Sequence, residues 1–528
     1  MTKNAEKLLA RAEFALQETL ANAWIYDDIY RMMSPFRSTS SNKSDGQVQG
    51  KVPYDSSMMI AAHQFVATMQ NDLTPSYQRW ANFKSGEAIL QDKDKIDNYL
   101  ESLRDKIFSY LDSSNFASVT STAYLDMACG TMVMLVLKGN SLSQPFKFVH
   151  IPIHKVGIEE DSSGKVIGVY FKREIKYQEI EYTWDNQKLR LPSELRDKIR
   201  ETPSSTTEFT ECITEDRDNF VWKYQVIDSS GEEQKIIYEE HFNVSPVIVF
   251  RWEKNHSGTH GIGVLMKALS DAKTLNAVKK LQLQNAELQV LGSYQVDISQ
   301  GALPMEHMEI RAGGMIPVRG NQISPINIGG NFSISERVIE DLQNKIKKIT
   351  LDSSLPPADS TQRTKYEIGE RLKELRKVAG NTGRMSIEYT TPLMRRLIDI
   401  LHTSGIEEIP EEVRVDDKVM EITIVSPLAQ QQNLEDVQAM LEVIQMTQEI
   451  SPELVNKAFK IEDLPRYFGK KLGAPSKLFR TSEEMQEIVE AEQQALQQQA
   501  MAEQQAQMPQ QEQMTQNQPI TDEQNVGI

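Results

Sequence analysis

The sequence predicts an α+β protein that is mainly helical, and three observations support this fold class. Apolar residues recur every three or four positions over long stretches near both ends of the 528-residue chain, as on one face of an α-helix. Short β-branched or aromatic segments bounded by Gly, Pro, Asn or Asp occupy much of residues 131–252 and are typical of antiparallel strands. Residues 292–332 are punctuated by Gly and Pro and separate two long helical patterns, which predicts a compact β-rich insertion.

Helices are expected throughout the N-terminal part. Residues 3–33 predict one helix that ends at Ser34-Pro35. Its expected buried side comprises Leu9, Ala12, Leu16, Leu20, Trp24 and Ile29. Further helices are predicted from the segment Val52-Pro53-Tyr54-Asp55-Ser56 to about residue 73, over residues 94–111, and after Asn115 as far as residue 129.

The pattern changes to strands after Gly130. Strands are predicted over residues 131–137, 146–153, 166–172 and 247–252. Residues 192–220 are charged and rich in Ser and Thr, which predicts a short helix over 193–201 followed by a surface excursion.

Two long helices flank the β-rich insertion. The first is expected over residues 263–291, and the second begins where Ser333 and Glu336 have the spacing of a capping box. The apolar face of the first comprises Leu265, Leu269, Ala272, Leu275, Val278, Leu281 and Leu288. Lys345, Lys347 and Lys348 lie at the far end of the second helix, where cations complement the helix dipole.

A third long helix follows a Pro-containing loop at residues 352–363. It is expected over residues 364–404, a length of about 60 Å, with a bend near residues 390–393 because Pro392 interrupts the helical ladder. A strand at 421–425 and helices at 434–448 and 452–459 come next. Residues 488–528 are rich in Gln and predict a helical start and a flexible tail.

Composition excludes several classes of protein. The 58 basic and 75 acidic residues give a net charge of -17, which argues against a protein that simply wraps nucleic acid. Only two cysteines occur, so neither a disulfide framework nor a cysteine zinc site is indicated. The longest apolar run is far too short to cross a bilayer, so a soluble protein without membrane contact is expected.

No motif predicts an enzyme, a metal or a cofactor. His150 and His154, like His256 and His260, are four residues apart, but neither pair encloses the Glu of a HExxH motif. The glycines of residues 258–263 lack the Lys-Ser/Thr of a phosphate-binding loop, and loop flexibility with entry into a helix explains them better. The pair Glu159-Glu160 is interpreted as solvated surface, since most such pairs are.

The order of these parts resembles that of portal proteins, the head-to-tail connectors of short-tailed bacteriophages. The matching stretches are Val52-Pro53-Tyr54-Asp55-Ser56, residues 95–137, Gly261-Ile262-Gly263 with Leu275-Asn276-Ala277, and Thr361-Gln362-Arg363-Thr364 leading into Glu367-Ile368. The resemblance implies a wing (1–262), two stem helices (263–291 and 333–351), a clip (292–332), a tunnel loop (352–363), a long wing helix with a return strand (364–425), a helical crown (426–487) and the Gln-rich tail (488–528).

The same resemblance implies a homo-dodecameric ring at one capsid vertex of the virion, assembled in the host cytoplasm. Double-stranded DNA would pass through the ring during packaging by the terminase large subunit and again during ejection. A tail adaptor protein and the major capsid and scaffold proteins are the other implied partners. No cofactor and no catalytic residue are expected, because the motor ATPase of this family is a separate protein.

Candidate contact residues follow from these assignments. Arg363, Lys365 and Gln362 at the edge of the tunnel loop are expected to contact DNA, together with Lys345, Lys347 and Lys348. Compensation of the helix dipole explains the three lysines equally well. Arg311 and Arg319 of the clip are candidates for terminase or adaptor contact, or for salt bridges within the hairpin. A ring-forming virion or scaffold protein without a DNA role is the alternative function.

Overall fold

The computed structural model describes residues 2–35, 52–76, 78–85, 93–185, 187–228, 234–256, 258–291, 294–297, 315–318, 324–325, 332–350, 382–408, 420–424, 427–450, 458–460, 464–472 and 488. The chain forms two compact units. One comprises Met1–Ala88 with Leu100–Ala429, and the other Ile89–Tyr99 with Gln430–Ile528. The predicted loop 352–363, most of the predicted helix 452–459 and the tail beyond residue 488 lie outside the described residues.

The helices of the first part of the chain are α1 (Thr2–Ala21), α2 (Ala23–Met33), α3 (Ser57–Asp72), α4 (Lys93–Asp112), α5 (Phe116–Cys129), α6 (Ile180–Thr183) and α7 (Ser193–Glu201). Those of the second part are α8 (Val264–Leu291), α9 (Phe332–Ile349), α10 (Thr382–Met385), α11 (Thr391–Thr403), α12 (Pro427–Ile450) and α13 (Leu464–Leu472). The described residues therefore mix long helices with strands, as expected of an α+β protein.

Two antiparallel sheets share one core. The larger has the order β4 (Val156–Glu160), β5 (Val166–Lys176), β6 (Thr206–Asp216), β7 (Val221–Asp228) and β8 (Lys235–Phe242). The smaller has β2 (Thr131–Ser141) between β3 (Gln144–Ile151) and β9 (Val247–Arg251). Val133 and Val249 of the smaller sheet belong to the same buried cluster as Phe171 and Phe209 of the larger.

The remaining strands form three smaller sheets in the described part of the chain. β1 (Ala81–Ser85) pairs with β15 (Met420–Ile424), and β10 (Glu253–Lys254) pairs with β11 (Gly261–Ile262). Between α8 and α9, β12 (Tyr294–Asp297) lies between β13 (Met315–Val318) and β14 (Ser324–Pro325). A three-stranded sheet therefore occupies the insertion that the sequence predicts to be β-rich.

The N-terminal helix is interrupted, so part of its predicted buried face is wrong. Asn22 separates α1 from α2. Leu9 and Leu16 pack inward before the break, whereas Leu20 and Trp24 beside it are 69% and 62% exposed. Periodicity assumes one continuous helix, and a break changes which residues share a face.

The surface excursion predicted after residue 201 is also wrong, because residues 206–216 form β6, the central strand of the larger sheet. Both faces of β6 are covered. Glu211 is fully buried, but Arg173 Nε lies 2.5 Å from its Oε1 and the Tyr224 hydroxyl donates to its other oxygen. Burial raises the pKa of Glu211 against the opposing charge of Arg173. Polar residues occupy this strand because their partners are buried with them.

Helix α8 begins where the backbone packs on backbone. A Cβ built on Gly263 would lie 2.1 Å from the Ala128 carbonyl oxygen and 2.4 Å from the Gly130 nitrogen. Gly130 itself has φ 140, and a Cβ there would lie 2.1 Å from the Gly261 oxygen. Entry into a helix after residues 258–263 is therefore confirmed, but Gly261 and Gly263 are required for close backbone approach to Gly130 rather than for loop flexibility.

The fully buried positions of α8 in the described structure lie in its first half. Leu265, Ala268, Ala272 and Leu275 are buried, whereas Leu281 is 65% exposed, so the predicted apolar face does not stay buried along the helix. Helices α2, α3 and α5 contact α8, and α9 is its main neighbour. Helix α9 contributes Ile339, Leu342 and Ile346, four residues or fewer apart, to this packing.

A buried arginine connects three segments distant in sequence. Arg251 of β9 is 3% exposed, pairs with Glu160 of β4, and donates from Nη2 to Glu388 Oε1 at 3.2 Å and to the Gly164 carbonyl at 3.4 Å. Lys254 Nζ reaches the other Glu160 oxygen at 3.0 Å. The interpretation of Glu159-Glu160 as solvated surface is therefore wrong for Glu160, whose charge is neutralised inside the protein.

Glu388 belongs to a π-helical turn, Ser386–Thr390, that joins α10 to α11. Pro392 follows it, cannot donate to the carbonyl of residue 388, and would clash with that carbonyl in a regular α-helix. A widened turn relieves this conflict, and it lies directly before residues 390–393, where the sequence predicts a bend.

A buried histidine holds α1 against the segment before α8. The Thr19 hydroxyl donates to the Val156 carbonyl at 2.6 Å, so its oxygen accepts from His260 Nε2 at 3.0 Å. Nδ1 therefore carries no proton, and it is buried without a hydrogen-bond partner among the described residues. The Glu18 carboxylate accepts from the Thr259 amide at 3.0 Å and from its hydroxyl at 2.8 Å.

We expect Gly263→Ala to destabilise the protein by several kcal/mol, because backbone atoms cannot move away from the new Cβ. Gly405→Ala is the control. Gly405 has φ 67 but nothing within 4 Å of a built Cβ, so that variant loses only about 1 kcal/mol to backbone strain. Urea denaturation of both variants tests this order, and equal losses would contradict it.

Acid should weaken the fold through His260. Burial lowers the pKa of His260 to about 4, with Glu18 opposing and Arg251 reinforcing this shift. The unfolded chain binds this proton near pH 6.5, so stability falls by about 1 kcal/mol per pH unit between pH 6.5 and 4. His260→Gln can still donate to Thr19 and does not titrate. Urea denaturation at stepped pH should show a shallower slope for this variant, and identical slopes would exclude the contribution of His260.

Candidate nucleic-acid interface

The candidate site is the C-terminal end of α9, where three lysines lie in one turn. Ile339, Leu342 and Ile346 direct one face of the helix into the protein. Lys345, Lys347 and Lys348 are exposed on the remaining surface. Their helical positions therefore leave all three ammonium groups in contact with water.

Lys345 is already neutralised within the protomer. Its Nζ lies 2.7 Å from Asp341 Oδ2, one turn earlier on α9. This hydrogen bond, the charge of Asp341 and the charge of Asp271 raise the pKa of Lys345. Lys345 is therefore paired along the surface of α9, one helical turn from its partner.

Lys347 and Lys348 differ from Lys345, since within the described ranges neither forms an ion pair. The carbonyl groups of the last turn of α9 receive hydrogen bonds from Thr350 and not from these lysines. Thr350 is fully buried, and its hydroxyl lies 2.9 Å from the Ile346 carbonyl oxygen and 3.3 Å from that of Lys347. Because Thr350 supplies these hydrogen bonds, the two lysines remain available to an anionic partner.

The other predicted contact residues lie outside the described residues. They are Gln362, Arg363 and Lys365 of the predicted loop and helix start, and Arg311 and Arg319 of the insertion between α8 and α9. Of the predicted site residues, the structure therefore positions the three lysines of α9.

His150 and His260, one member of each histidine pair, have structural partners. His150 Nε2 lies 2.9 Å from Asp126 Oδ2, and the same carboxylate accepts from the Tyr30 hydroxyl at 2.5 Å and the Ile153 amide at 3.0 Å. Among the described residues, no cluster of three or more His, Cys, Asp or Glu side chains could hold a metal ion. No helix in the described part of the chain is long and apolar enough to span a membrane. Asp126 and Arg251 have no motif in the sequence, because their partners come from distant segments.

Comparison with known proteins identifies the family. Residues 5–479 match the family model described as bacteriophage head to tail connecting protein. The chain belongs to this family. Among curated proteins, no sequence matches it significantly. The connector is thus a structural component of a phage-type virion that joins head and tail.

Two solved structures show weak similarity to the connector. A chain from the neck of an empty GTA particle, computed with C6 symmetry, has 10% identity and a TM-score of 0.34, covering 73% of this chain and 86% of its own. A chain from the virion of a native gene transfer agent particle has 9% identity and a TM-score of 0.32, covering 74% and 92%. The family assignment rests on the sequence match.

Stability measurements can separate the roles of these residues. Thr350→Val keeps the volume but removes the hydroxyl from two helix-end carbonyls, so we expect a loss of about 1 kcal/mol and a lower Tm. The double variant Lys347→Ala/Lys348→Ala should melt with the wild type if the lysines serve a partner. A loss in the double variant as large as in Thr350→Val would assign the lysines to helix-end stabilisation instead.

Proposed function

We propose that this connector is a portal protein: a ring at one capsid vertex through which double-stranded DNA enters during packaging and leaves during ejection. The observation that supports the proposal is the pair Lys347 and Lys348, exposed and without ion pairs in the described part of the chain, at the point where α9 leads into residues 352–363. Two exposed cations per subunit on an acidic protein suit a polymer that must slide, because few phosphates are neutralised at once.

Each segment of the chain is assigned to one part of a portal subunit. Helices α8 and α9 are the stem, and the three-stranded sheet β12–β13–β14 between them belongs to the clip. Residues 1–262 form the wing, 352–363 the tunnel loop, 364–425 the long wing helix with its return strand, 426–487 the crown and 488–528 the tail. Gln362, Arg363 and Lys365 contact DNA from the tunnel loop and its edge.

The proposed partners follow from this architecture. The ring is a homo-dodecamer in a short-tailed phage particle and is assembled in the host cytoplasm. The terminase large subunit and the tail adaptor contact the clip at Arg311 and Arg319, and capsid and scaffold proteins surround the ring. A ring-forming virion protein without a DNA role would share the helices but would gain nothing from the exposed lysines at the end of α9.

DNA packaging by particles carrying lysine variants tests the proposal. Lys347→Ala/Lys348→Ala and Arg363→Ala/Lys365→Ala should each reduce the DNA packaged or retained per particle, because phosphate contacts are removed. Lys345→Ala is the matched control, since this exposed lysine of the same turn is paired with Asp341.

The variant particles must contain the connector, which immunoblotting checks. Electron microscopy of the purified protein should show rings with an axial hole. Normal DNA content in both double variants would favour the ring-forming protein without a DNA role. Purified protein that stays monomeric at all concentrations would remove the portal proposal.

A further inference from the structure

Helix α8 carries an uncharged stripe that is exposed at most of its positions. The stripe has the alternating four- and three-residue spacing of a helix that packs on another helix. Its members are Ser270, Thr274, Ala277, Leu281, Gln284 and Leu288, of which Leu288 is half-buried and the others exposed. We call this surface the seam. In a chain with 25% charged residues, a helix face meant for water would carry charges.

A second apolar surface lies on the opposite side of α8. Residues two apart on a helix differ by about 200°, so Leu283 points away from Leu281. Asn276, Leu283 and Val290, seven residues apart, define this side, which we call the flank. Leu283 is 52% and Val290 84% exposed. Between the two surfaces, on the side of Val278, Gln282 and Asn285, the helix is half-buried.

The flank is extended by the segment before α3. Asn276 Oδ1 accepts from the Tyr54 amide at 2.6 Å and from the Asp55 amide at 3.3 Å. These hydrogen bonds hold Tyr54, which is 44% exposed, beside the flank, and Val52 two residues earlier is 55% exposed. The flank is therefore bulky and apolar, whereas the upper part of the seam consists of small residues.

We propose that the flank of one subunit docks on the seam of a second copy of this chain. Large side chains such as Tyr54 meet the small residues Ser270, Thr274 and Ala277, and both surfaces present apolar or uncharged side chains. An uncharged seam does not suit nucleic acid, which requires cations. Two different surfaces on opposite sides of one helix produce a head-to-tail contact, which forms a ring where the rotation between subunits closes and does not form a two-fold dimer.

This inference rests on the proposed ring but specifies its contact, and a matched pair of variants tests it. Leu281→Asp disables the seam and Leu283→Asp disables the flank, with the same substitution two residues apart on one helix. Each variant alone should be monomeric by analytical ultracentrifugation. An equal mixture should form a heterodimer and nothing larger, because one intact flank and one intact seam remain. Leu142→Asp, at a 72% exposed hairpin residue, should assemble like the wild type.

The possible outcomes distinguish the two proposals. Circular dichroism should show the wild-type spectrum for every variant, since both leucines are exposed in the protomer. Rings formed by both variants would overturn the seam and flank while leaving the portal intact. Dimers formed by either variant alone, or a mixture that stays monomeric, would overturn the head-to-tail contact. A monomeric wild type would overturn the ring itself.

Discussion

The contact among Gly130, Gly261 and Gly263 is the constraint on which the direction of α8 depends. Backbone atoms meet there without intervening side chains, so the start of α8 lies against the junction of α5 and β2. Such a contact has few alternative arrangements, because neither partner can move a rotamer to make room. The helix is thus positioned at its first residue by the α+β core, and its distal half depends on that position.

Buried charges connect the same core to the helices that follow. Arg251 lies on the strand that pairs with β2, and Glu388 lies in the π-helical turn before α11. An arginine that is 3% exposed loses its hydration, so removal of either carboxylate would leave its charge poorly compensated. Pro392 favours the wide turn before α11, and the ion pair with Arg251 holds Glu388 within that turn. The two features therefore reinforce each other, since both fix the position of the turn between α10 and α11.

Helices with long, regular periodicity could be predicted from the sequence, whereas features that depend on distant partners could not. The patterns around Leu265 and Leu342 identified α8 and α9 to within one residue at their starts. Strand β6 was not predicted, because Glu211 suggests an exposed segment when only the sequence is known. Its buried partners, Arg173 and Tyr224, come from neighbouring strands of the sheet. Leu20 and Trp24 were wrongly predicted to be buried, because the spacing of apolar residues does not reveal the helix break at Asn22. At the candidate site the sequence predicted the three lysines, but only the structure separates Lys345 from its neighbours.

The two halves of α8 show how one helix can serve both the fold and the assembly. Up to Leu275 its buried residues face the protomer, and the cost of exposing them keeps the helix in place. Beyond that residue the same kind of side chain is exposed, although burial would be equally favourable there. A long apolar surface that persists in a chain with a net charge of -17 is not needed for solubility. Because long-range repulsion is screened beyond about 10 Å at 0.1 M salt, acidic subunits can still meet along such an uncharged surface. The exposed side chains of these two helices thus separate the uncharged seam that we propose for subunit contact from the cationic end at Lys347 and Lys348.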